Sequence, residues 1–195
     1  MKKYALGVLL TVSGLPALAE ISVTPELLVG KADQSTDVNG SKVTDGDDTS
    51  LGLRAVFGIN KNLDVEVAYQ DYGETDDTYV DSFGDTINDK FSTSALNVGL
   101  KGIAPFSDKL AFHGRVGLAR WDTELKSTDS SSPGQTLSLD DNGVDIYYGV
   151  GVQYNLTPKL NVGMEYDITE MDVSFSGLAV DHTVKNLSLS LGYDL

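Results

Sequence analysis

The chain has 195 residues, no cysteine and a formal net charge of −15 at pH 7. This length corresponds to one domain, and the lack of cysteine favours a fold whose backbone hydrogen bonding closes on itself over a disulfide-stapled secreted fold. The charge disfavours nucleic acid and anionic membrane surfaces as partners, and no apolar stretch after the first nineteen residues is long enough for a transmembrane helix.

The N-terminal segment predicts a cleaved secretory signal peptide. Two lysines precede an apolar run from Tyr4 to Leu15, and an Ala-x-Ala cleavage site follows at positions 17–19. The apolar run is too short to span a bilayer comfortably, and no stop-transfer segment follows it. We therefore assign residues 1–19 to the signal peptide and residues 20–195 to one folded domain.

The remainder of the chain alternates apolar and other residues with a period of two, which predicts β-strands. The clearest example is Leu63, Val65, Val67 and Tyr69, which are large and apolar, whereas the residues between them are charged or, at Ala68, small. Most alternating segments approach the ~9 to 11 residues that a tilted strand needs to cross a bilayer. The eight predicted strands are Glu26–Lys31, Ser50–Ile59, Leu63–Tyr72, Ser94–Ile103, Leu110–Trp121, Val144–Tyr154, Leu160–Ile168 and Val184–Leu195.

The connections between the predicted strands alternate in length. Those at residues 60–62, 104–109 and 155–159 are short, and the four others are long and polar. This alternation predicts an up-and-down meander with turns at one rim and four long acidic loops at the other. The predicted loops, which hold 16 of the 29 acidic residues, are Asp33–Thr49, Glu74–Asp89, Lys126–Asp141 and Asp172–Thr183.

The two faces of the predicted strands differ in content. One face, which includes Leu51, Val65 and Leu189, carries no ionised side chain, as a lipid-facing band requires when a central charge costs ~2 to 4 kcal/mol. The other face mixes charges with glycines such as Gly99 and Gly117, which would make a poor exterior for the alternative, a soluble lipocalin-like barrel. We therefore predict an all-β fold, an eight-stranded antiparallel up-and-down transmembrane β-barrel.

Charged residues on the second face predict a polar network inside the barrel. The cations Arg54, Lys101 and Arg115 match three acids in number and sign, and buried charges need such partners. We favour a polar plug, and the alternative is a gate whose ion pairs exchange partners to pass ions; a wide pore is implausible with eight strands. The predicted network comprises Arg54, Glu66, Lys101, His113, Arg115, Asp145 and Glu165.

Three segments carry a resemblance to a known family. They are Phe57-Gly58-Ile59-Asn60-Lys61-Asn62-Leu63, the run from Tyr147 to Thr157, and Leu187-Ser188-Leu189-Ser190-Leu191-Gly192-Tyr193. With them the chain resembles the small outer-membrane barrels of the OmpA and OmpX type. The resemblance implies a location in the outer membrane of a Gram-negative bacterium, contact with its lipid and lipopolysaccharide, and assembly by the barrel assembly machinery through the C-terminal strand.

The acidic loops are weak candidates for divalent cations, because hard cations prefer clusters of oxygen ligands. No segment has the spaced pattern of a calcium-binding loop, so solvated loop tips are the favoured interpretation and no metal or other cofactor is predicted. The candidate ligands are Asp45, Asp47, Asp76, Asp77, Asp140 and Asp141.

No set of residues predicts catalysis. The alternation predicts that Ser188, Ser190 and His113 all face inward, and His182 lies in the last predicted loop. No motif joins a serine to a histidine. The first hypothesis is a non-enzymatic, monomeric barrel that serves envelope integrity or surface interaction, with an unidentified extracellular ligand at its loops. A small gated porin or ion channel is the second hypothesis, and a lipid-modifying membrane enzyme is the third.

Overall fold

Alternating residues fold the described chain into eight antiparallel strands that close into a barrel. Each strand pairs with its neighbours in chain order, and β8 pairs with β1. This arrangement confirms the predicted eight-stranded up-and-down barrel. The strands are β1 Val23–Val38, β2 Ser41–Asn60, β3 Leu63–Val80, β4 Thr86–Pro105, β5 Leu110–Asp129, β6 Thr136–Asn155, β7 Leu160–Phe175 and β8 Leu178–Tyr193.

The structure is a computed structural model that describes residues 22–38, 41–80, 82–132, 134–175 and 178–195. The predicted signal peptide, residues 1–19, lies outside the described residues. Within these ranges, no helix has the length and apolar content that crossing a membrane requires.

Short turns close one end of the barrel, as predicted. Side chains of the turn residues hold them: Asn60 Oδ1 accepts the Asn62 N–H at 2.9 Å, and Thr157 Oγ1 accepts the Leu160 N–H at 2.9 Å. Asparagine and threonine favour such turns because their side chains bond to backbone a few residues away.

A continuous band of apolar side chains surrounds the outside of the barrel next to these turns. Its members remain largely uncovered by protein, including Leu53 at 65% exposure and Val150 at 64%. Outward-facing charges begin only beyond the band, at Lys31, Arg120 and Lys185. A band of this kind is what the hydrocarbon core of a membrane requires.

The prediction of four long loops is wrong, because most of the residues assigned to them belong to strands that continue far beyond the band. Strands β5 and β6, for example, pair up to Thr128 and Thr136. We call this extension, at the end opposite the short turns, the distal part. The sequence pattern hid these extensions because the side on which apolar residues lie reverses at the edge of the band: Leu118 faces outward, whereas Trp121 faces inward and is 1% exposed.

Two seams divide the distal part into two sheets. Within the described residues, the ladder between β2 and β3 ends at Leu51 and Asp71, and that between β6 and β7 ends at Tyr147 and Thr169. Sheet A therefore contains β7, β8, β1 and β2, and sheet B contains β3, β4, β5 and β6. The apolar core lies mainly between these sheets and comprises Ala32, Tyr72, Ala95, Ala119, Trp121, Tyr147, Met171, Val173, Val180 and Val184.

Candidate functional site: the lumen and the distal part

Arg54 is the centre of an ion-pair network inside the barrel at the depth of the apolar band. Its guanidinium donates to Glu165 Oε1 at 2.6 Å and to Glu26 Oε2 at 2.9 Å. Its Nε atom lies 3.7 Å from Glu66 Oε2. All four side chains are at most 3% exposed, so the charges of the carboxylates must be compensated by cations inside the barrel and not by water.

Arg115 forms the second cationic position of the network. Its Nη2 atom lies 2.7 Å from Glu165 Oε2 and 3.2 Å from His113 Nε2. Because a guanidinium only donates, His113 accepts through Nε2 and is neutral in this arrangement. Tyr147 donates from its hydroxyl to Glu66 Oε1 at 2.8 Å, and so links the ionic network to the apolar core above it.

Glycines on the inward face provide the space that these side chains occupy. A Cβ atom at Gly151 would lie 2.7 Å from His113 Cε1 and 2.7 Å from the Met164 carbonyl oxygen, which is closer than real Cβ contacts allow. The close approach therefore requires glycine at this position.

The structure brings most of the predicted network together, but not Asp145. Arg54, Glu66, His113, Arg115 and Glu165 form the group described above. Lys101 joins it through Glu26 Oε1 at 3.8 Å and also donates to Gln153 Oε1 at 3.0 Å.

Asp145 is a correction to the predicted pairing of three acids with three cations. Its Oδ2 atom accepts the indole N–H of Trp121 at 2.7 Å and the backbone N–H of Asp172 at 3.3 Å. It is only partly buried and lies above the ionic network, at the start of the β6–β7 seam. The alternating pattern predicted correctly that Asp145 faces inward. The pattern does not give the position of a side chain along the barrel axis.

Two further acids of the network, Glu26 and Asp167, were not included among the predicted pairs. Glu26 opens the first strand, where the apolar run of Leu27, Leu28 and Val29 obscures which residues face inward. The structure places Leu28 inside at 1% exposure and leaves Leu27 and Val29 outside. The outward Leu27 and Val29 are the signal that assigns Glu26 to the lumen.

Carboxylates outnumber cations in the described part of the lumen. Glu26, Asp64, Glu66, Glu165 and Asp167 are each at most 8% exposed, and the cations beside them are one lysine and two arginines. Among the described residues, neither carboxylate oxygen of Asp167 has a hydrogen-bond partner, and the nearest cationic atom is Arg115 Nε at 3.8 Å. The lumen thus holds two more carboxyl groups than cations.

Aspartate side chains bridge both seams of the distal part. Across the β2–β3 seam, Asp48 accepts the N–H of Glu74 at 2.8 Å. Together with the N–H of Thr49, this bond lowers the pKa of the Asp48 carboxyl. Across the β6–β7 seam, Asp141 accepts the N–H of Ser174 at 2.6 Å, in parallel with the bond of Asp145 to the next strand. Carboxylates thus take the place of backbone carbonyls where the ladders end.

His182 lies buried between the two sheets of the distal part and not in a loop, which corrects its predicted position. Nδ1 is 3.0 Å from Thr36 Oγ1 on β1, and Nε2 is 3.3 Å from Thr93 Oγ1 on β4. The ring packs on Phe91 with centroids 4.5 Å apart, and burial lowers the pKa of His182 to about 4. His182 is therefore a neutral cross-link between sheet A and sheet B.

The candidate cation ligands do not come together in a single site in the described part of the chain. Asp47 pairs with Lys31 at 2.9 Å, Asp76 pairs with Lys90 at 3.1 Å, and Asp141 bridges a seam. Among the described side chains, no three acids or histidines are placed to hold a metal ion. The remaining candidates, which are exposed or partly exposed, are Asp45, Asp77 and Asp140.

A closed eight-stranded antiparallel barrel with a charge-free outward band and a charged interior defines the class of integral outer-membrane barrel proteins. Residues 5–194 match the family described as outer membrane protein beta-barrel domain, and the chain belongs to this family. Its location is the outer membrane of a Gram-negative bacterium.

Comparisons with individual proteins agree with this membership. Outer membrane protein A of Serratia marcescens is 26% identical over 153 residues, which cover 77% of this chain and 41% of that protein. This chain therefore spans less than half the length of that relative.

Solved structures with low sequence identity share the fold. Neisserial surface protein A gives a TM-score of 0.58 at 11% identity, covering 86% of this chain and 96% of its own. OprG of Pseudomonas aeruginosa gives 0.54 at 11% identity, covering 90% and 95%. Ail of Yersinia pestis, solved with the heparin analogue sucrose octasulfate, gives 0.52 at 16% identity, covering 89% and 99%.

Proposed function

We propose that this protein is a non-enzymatic, monomeric outer-membrane barrel with a closed polar lumen that contributes to envelope integrity and presents its distal part as an interaction surface outside the cell. The observation that carries the proposal is the network around Arg54, which joins β1, β2, β3 and β7 across the lumen with side chains at most 3% exposed. A packed ionic centre favours a scaffold over a pore. Longer connections of such barrels face outward, which supports an extracellular distal part.

The environment of the histidines supports a non-enzymatic role. His182 is 1% exposed and contacts two threonine hydroxyls, so a substrate has no access to it. Ser188 donates its hydroxyl to Glu165 at 3.2 Å, and His113 bonds to Arg115. These contacts do not pair a serine nucleophile with a histidine base.

The partners follow from the two ends and the outer face of the barrel. The apolar band contacts outer-membrane lipid and lipopolysaccharide, and the C-terminal strand β8 is the segment that the barrel assembly machinery engages. The extracellular ligand binds the distal part.

Planar-bilayer recording of the purified protein tests the closed lumen. We expect no discrete, reproducible conductance steps from the wild type. The matched variants are Arg54→Met, which opens the network, and Lys90→Met, which removes an exposed lysine of the distal part. Reproducible wild-type steps that change with Arg54→Met and not with Lys90→Met would overturn the closed lumen.

Attachment assays test the interaction surface. Replacing residues 126–138 by a tight turn shortens the β5–β6 hairpin beyond the Glu124–Asp140 pair and leaves the membrane-spanning part intact. We expect loss of attachment to surfaces that the wild-type protein binds, with unchanged permeability of the envelope. Unchanged attachment would contradict this role.

A small gated ion channel is the second candidate function. The surplus of carboxylates in the lumen supports it, because a path lined by Asp64, Glu66 and Asp167 would pass cations in preference to anions. Reversal potentials in a salt gradient decide this point: a cation-selective current that Asp167→Asn weakens would favour the channel.

A further inference from the structure

An apolar groove crosses the lipid-facing surface of the barrel. It has a volume of about 620 Å³, and two parallel rows of outward side chains form its walls. Gly163 and Ser190, which pair with each other across β7 and β8, form the floor between the rows. The second row includes Met164 and Leu189. The first row consists of Leu110, Tyr154, Val162, Leu191 and Leu27, in which each residue pairs with the next.

The groove rises from the turn end of the barrel, which the short turns close, into the apolar band. Leu110 is the first residue of β5 and directly follows a short turn. At the other end of the first row, Leu27 pairs with Leu53, which lies seven residues before the end of β2. Such a row is inclined because the strands tilt by roughly 35–45° from the barrel axis. The groove therefore has the course of a lipid acyl chain, which starts at the headgroup and ends within the hydrocarbon.

Two lysines lie where the groove begins. Lys109 directly precedes Leu110, and Lys159 lies in the turn between β6 and β7; both are exposed. The backbone N–H of Asn155 donates to the carbonyl oxygen of Lys109 at 2.8 Å and so joins the two turns. Within the described ranges, neither ammonium group has an ion-pair partner. The three short turns contain three lysines and one acid, Asp108, although the chain as a whole is acidic.

Tyrosine rings mark the level of the lipid headgroups at the turn end. Tyr154 and Tyr193 are 42% and 48% exposed on the outer surface. Tyrosine concentrates at the membrane–water interface, because its ring is apolar and its hydroxyl remains hydrated. The Nζ atom of Lys159 lies 5.6 Å from the centroid of the Tyr193 ring, so this lysine lies at the same level. A phosphate at the interface would therefore meet ammonium groups where its acyl chain enters the groove.

We propose that the groove binds one anionic phospholipid, with an acyl chain between the two rows and the headgroup phosphate beside Lys109 and Lys159. Apolar contact along the rows holds the chain, and the two lysines select a headgroup with a net negative charge. With the distal part outside the cell, the turn end faces the periplasm and the lipid comes from the inner leaflet. This assignment to a leaflet rests on the proposed function.

Three other occupants fit less well. Lipopolysaccharide lies in the outer leaflet, so its phosphates would be at the opposite end of the band. A zwitterionic phospholipid would place its own cation beside the lysines. A second copy of this chain, packed on the groove about a two-fold axis along the membrane normal, would bring its own Lys109 and Lys159 to the same level and be repelled.

The test uses the folded protein in phosphatidylcholine nanodiscs that contain a small fraction of phosphatidylglycerol with a photoreactive group in its acyl chain. Mass spectrometry of the cross-linked peptides locates the lipid. We expect the labels to concentrate on residues 160–164 and 187–191, and not on β3, which lies on the other side of the barrel. A phosphatidylcholine probe with the same acyl chain should label these residues at least about fivefold less.

Matched lysine variants test the headgroup contact. Lys109→Gln and Lys159→Gln should each weaken the retention of phosphatidylglycerol, measured by native mass spectrometry in detergent, by about fivefold. Lys61→Gln removes a lysine from the β2–β3 turn, away from the groove, and should leave retention within about twofold of the wild type. Altered migration on a gel without boiling confirms that each variant is folded.

Matched groove variants test the acyl-chain contact. Val162→Trp fills the groove, whereas Val65→Trp places the same ring outside it; each valine is the third residue of its strand. We expect Val162→Trp to reduce labelling of the groove at least about fivefold, because the ring takes the place of the acyl chain. Val65→Trp should leave the labelling unchanged.

Equal labelling by both probes, labels spread around the whole barrel, or unchanged retention in both Lys109→Gln and Lys159→Gln would overturn the inference. Cross-links between two copies through the groove would assign it to a second copy instead. Retention of lipopolysaccharide in preference to phosphatidylglycerol, in protein isolated from outer membranes, would assign it to that lipid. If phosphatidylglycerol binds as expected but the distal part faces the periplasm, the lipid site stands, and the proposed function and the leaflet assignment fail.

Discussion

The carboxylate of Asp145 accepts the indole N–H of Trp121 at 2.7 Å, and so joins β6 to the core of the distal part. The same oxygen accepts the N–H of Asp172 on β7 at 3.3 Å. One side chain therefore satisfies a buried indole and the first open backbone group of the seam. At the end of the β6–β7 ladder, the membrane-spanning barrel is therefore joined to the two sheets of the distal part by side-chain hydrogen bonds.

Removing this acceptor should destabilise the distal part. Asp145→Ala leaves the buried Trp121 N–H without a partner, and we expect the free energy of unfolding to fall by about 1 to 3 kcal/mol. Asp145→Asn keeps an acceptor oxygen and should lose less. Because Trp121 is the single tryptophan, its fluorescence during urea unfolding in detergent reports the change directly. The exposed neighbour Asp140→Ala is the control, and an equal loss there would refute the assignment.

Replacing Arg54 should be among the most damaging changes in the lumen. Arg54→Met leaves the carboxylates of Glu26, Glu66 and Glu165 without their main cation, and breaking such a buried pair costs about 3 to 5 kcal/mol. The urea midpoint of the refolded barrel measures the loss. Adding Glu165→Gln to Arg54→Met removes one uncompensated charge and should recover part of it; a further decrease in stability would contradict the network.

Acidification should destabilise the distal part through His182. Its pKa of about 4 in the folded protein lies below the ordinary value of 6.5, so the unfolded state binds a proton more readily. The stabilisation is therefore complete above pH 6.5, falls as the pH decreases from 6.5 to about 4, and changes no further below. The total is about 3 kcal/mol. Urea unfolding of wild type and His182→Gln across this range measures it: the difference in stability between them should shrink as the pH falls, and a constant difference would contradict the prediction.

The number of strands, their order and the lipid-facing side could be predicted because one pattern persists through the membrane-spanning part. Hydrocarbon surrounds the barrel, so every second residue of each strand, which faces outward, must be apolar. The lumen is narrow and polar, so the residues between them, which face inward, are glycines or charged residues. Leu53 and Arg54 are neighbours that illustrate both requirements: the first is 65% exposed to lipid, and the second is buried in the ionic network.

The distal strands could not be predicted because their environment reverses the pattern. Beyond the band the outside meets water and the inside is a core between two sheets, so Met171 and Val173 face inward, whereas Ile168 on the same strand faces lipid. Within one strand, the apolar residues therefore switch from the outward to the inward positions. A search for apolar residues at the outward positions alone finds few beyond the band, and the segment then resembles a loop. The position of Asp145 along the barrel was lost for a related reason, since parity gives the face of a side chain and not its depth.

Two glycines on β5 should differ sharply in their tolerance of a methyl group. A Cβ atom at Gly117 would lie 2.6 Å from Gly99 Cα and still closer to the Val98 carbonyl oxygen, both of which are backbone atoms of β4. A Cβ atom at Gly114 would have only the Gly149 carbonyl oxygen near it, at 3.8 Å. Backbone cannot yield without separating β4 from β5, so Gly117→Ala should lower the free energy of unfolding by about 1 to 3 kcal/mol. Gly114→Ala adds a methyl group to the lipid face, where it contacts hydrocarbon and should be neutral or slightly stabilising.

The fraction of each variant that refolds into detergent, scored by its altered migration on a gel without boiling, compares them directly. Equal refolding and equal urea midpoints would show that the strands can separate enough to accept the methyl group at both positions.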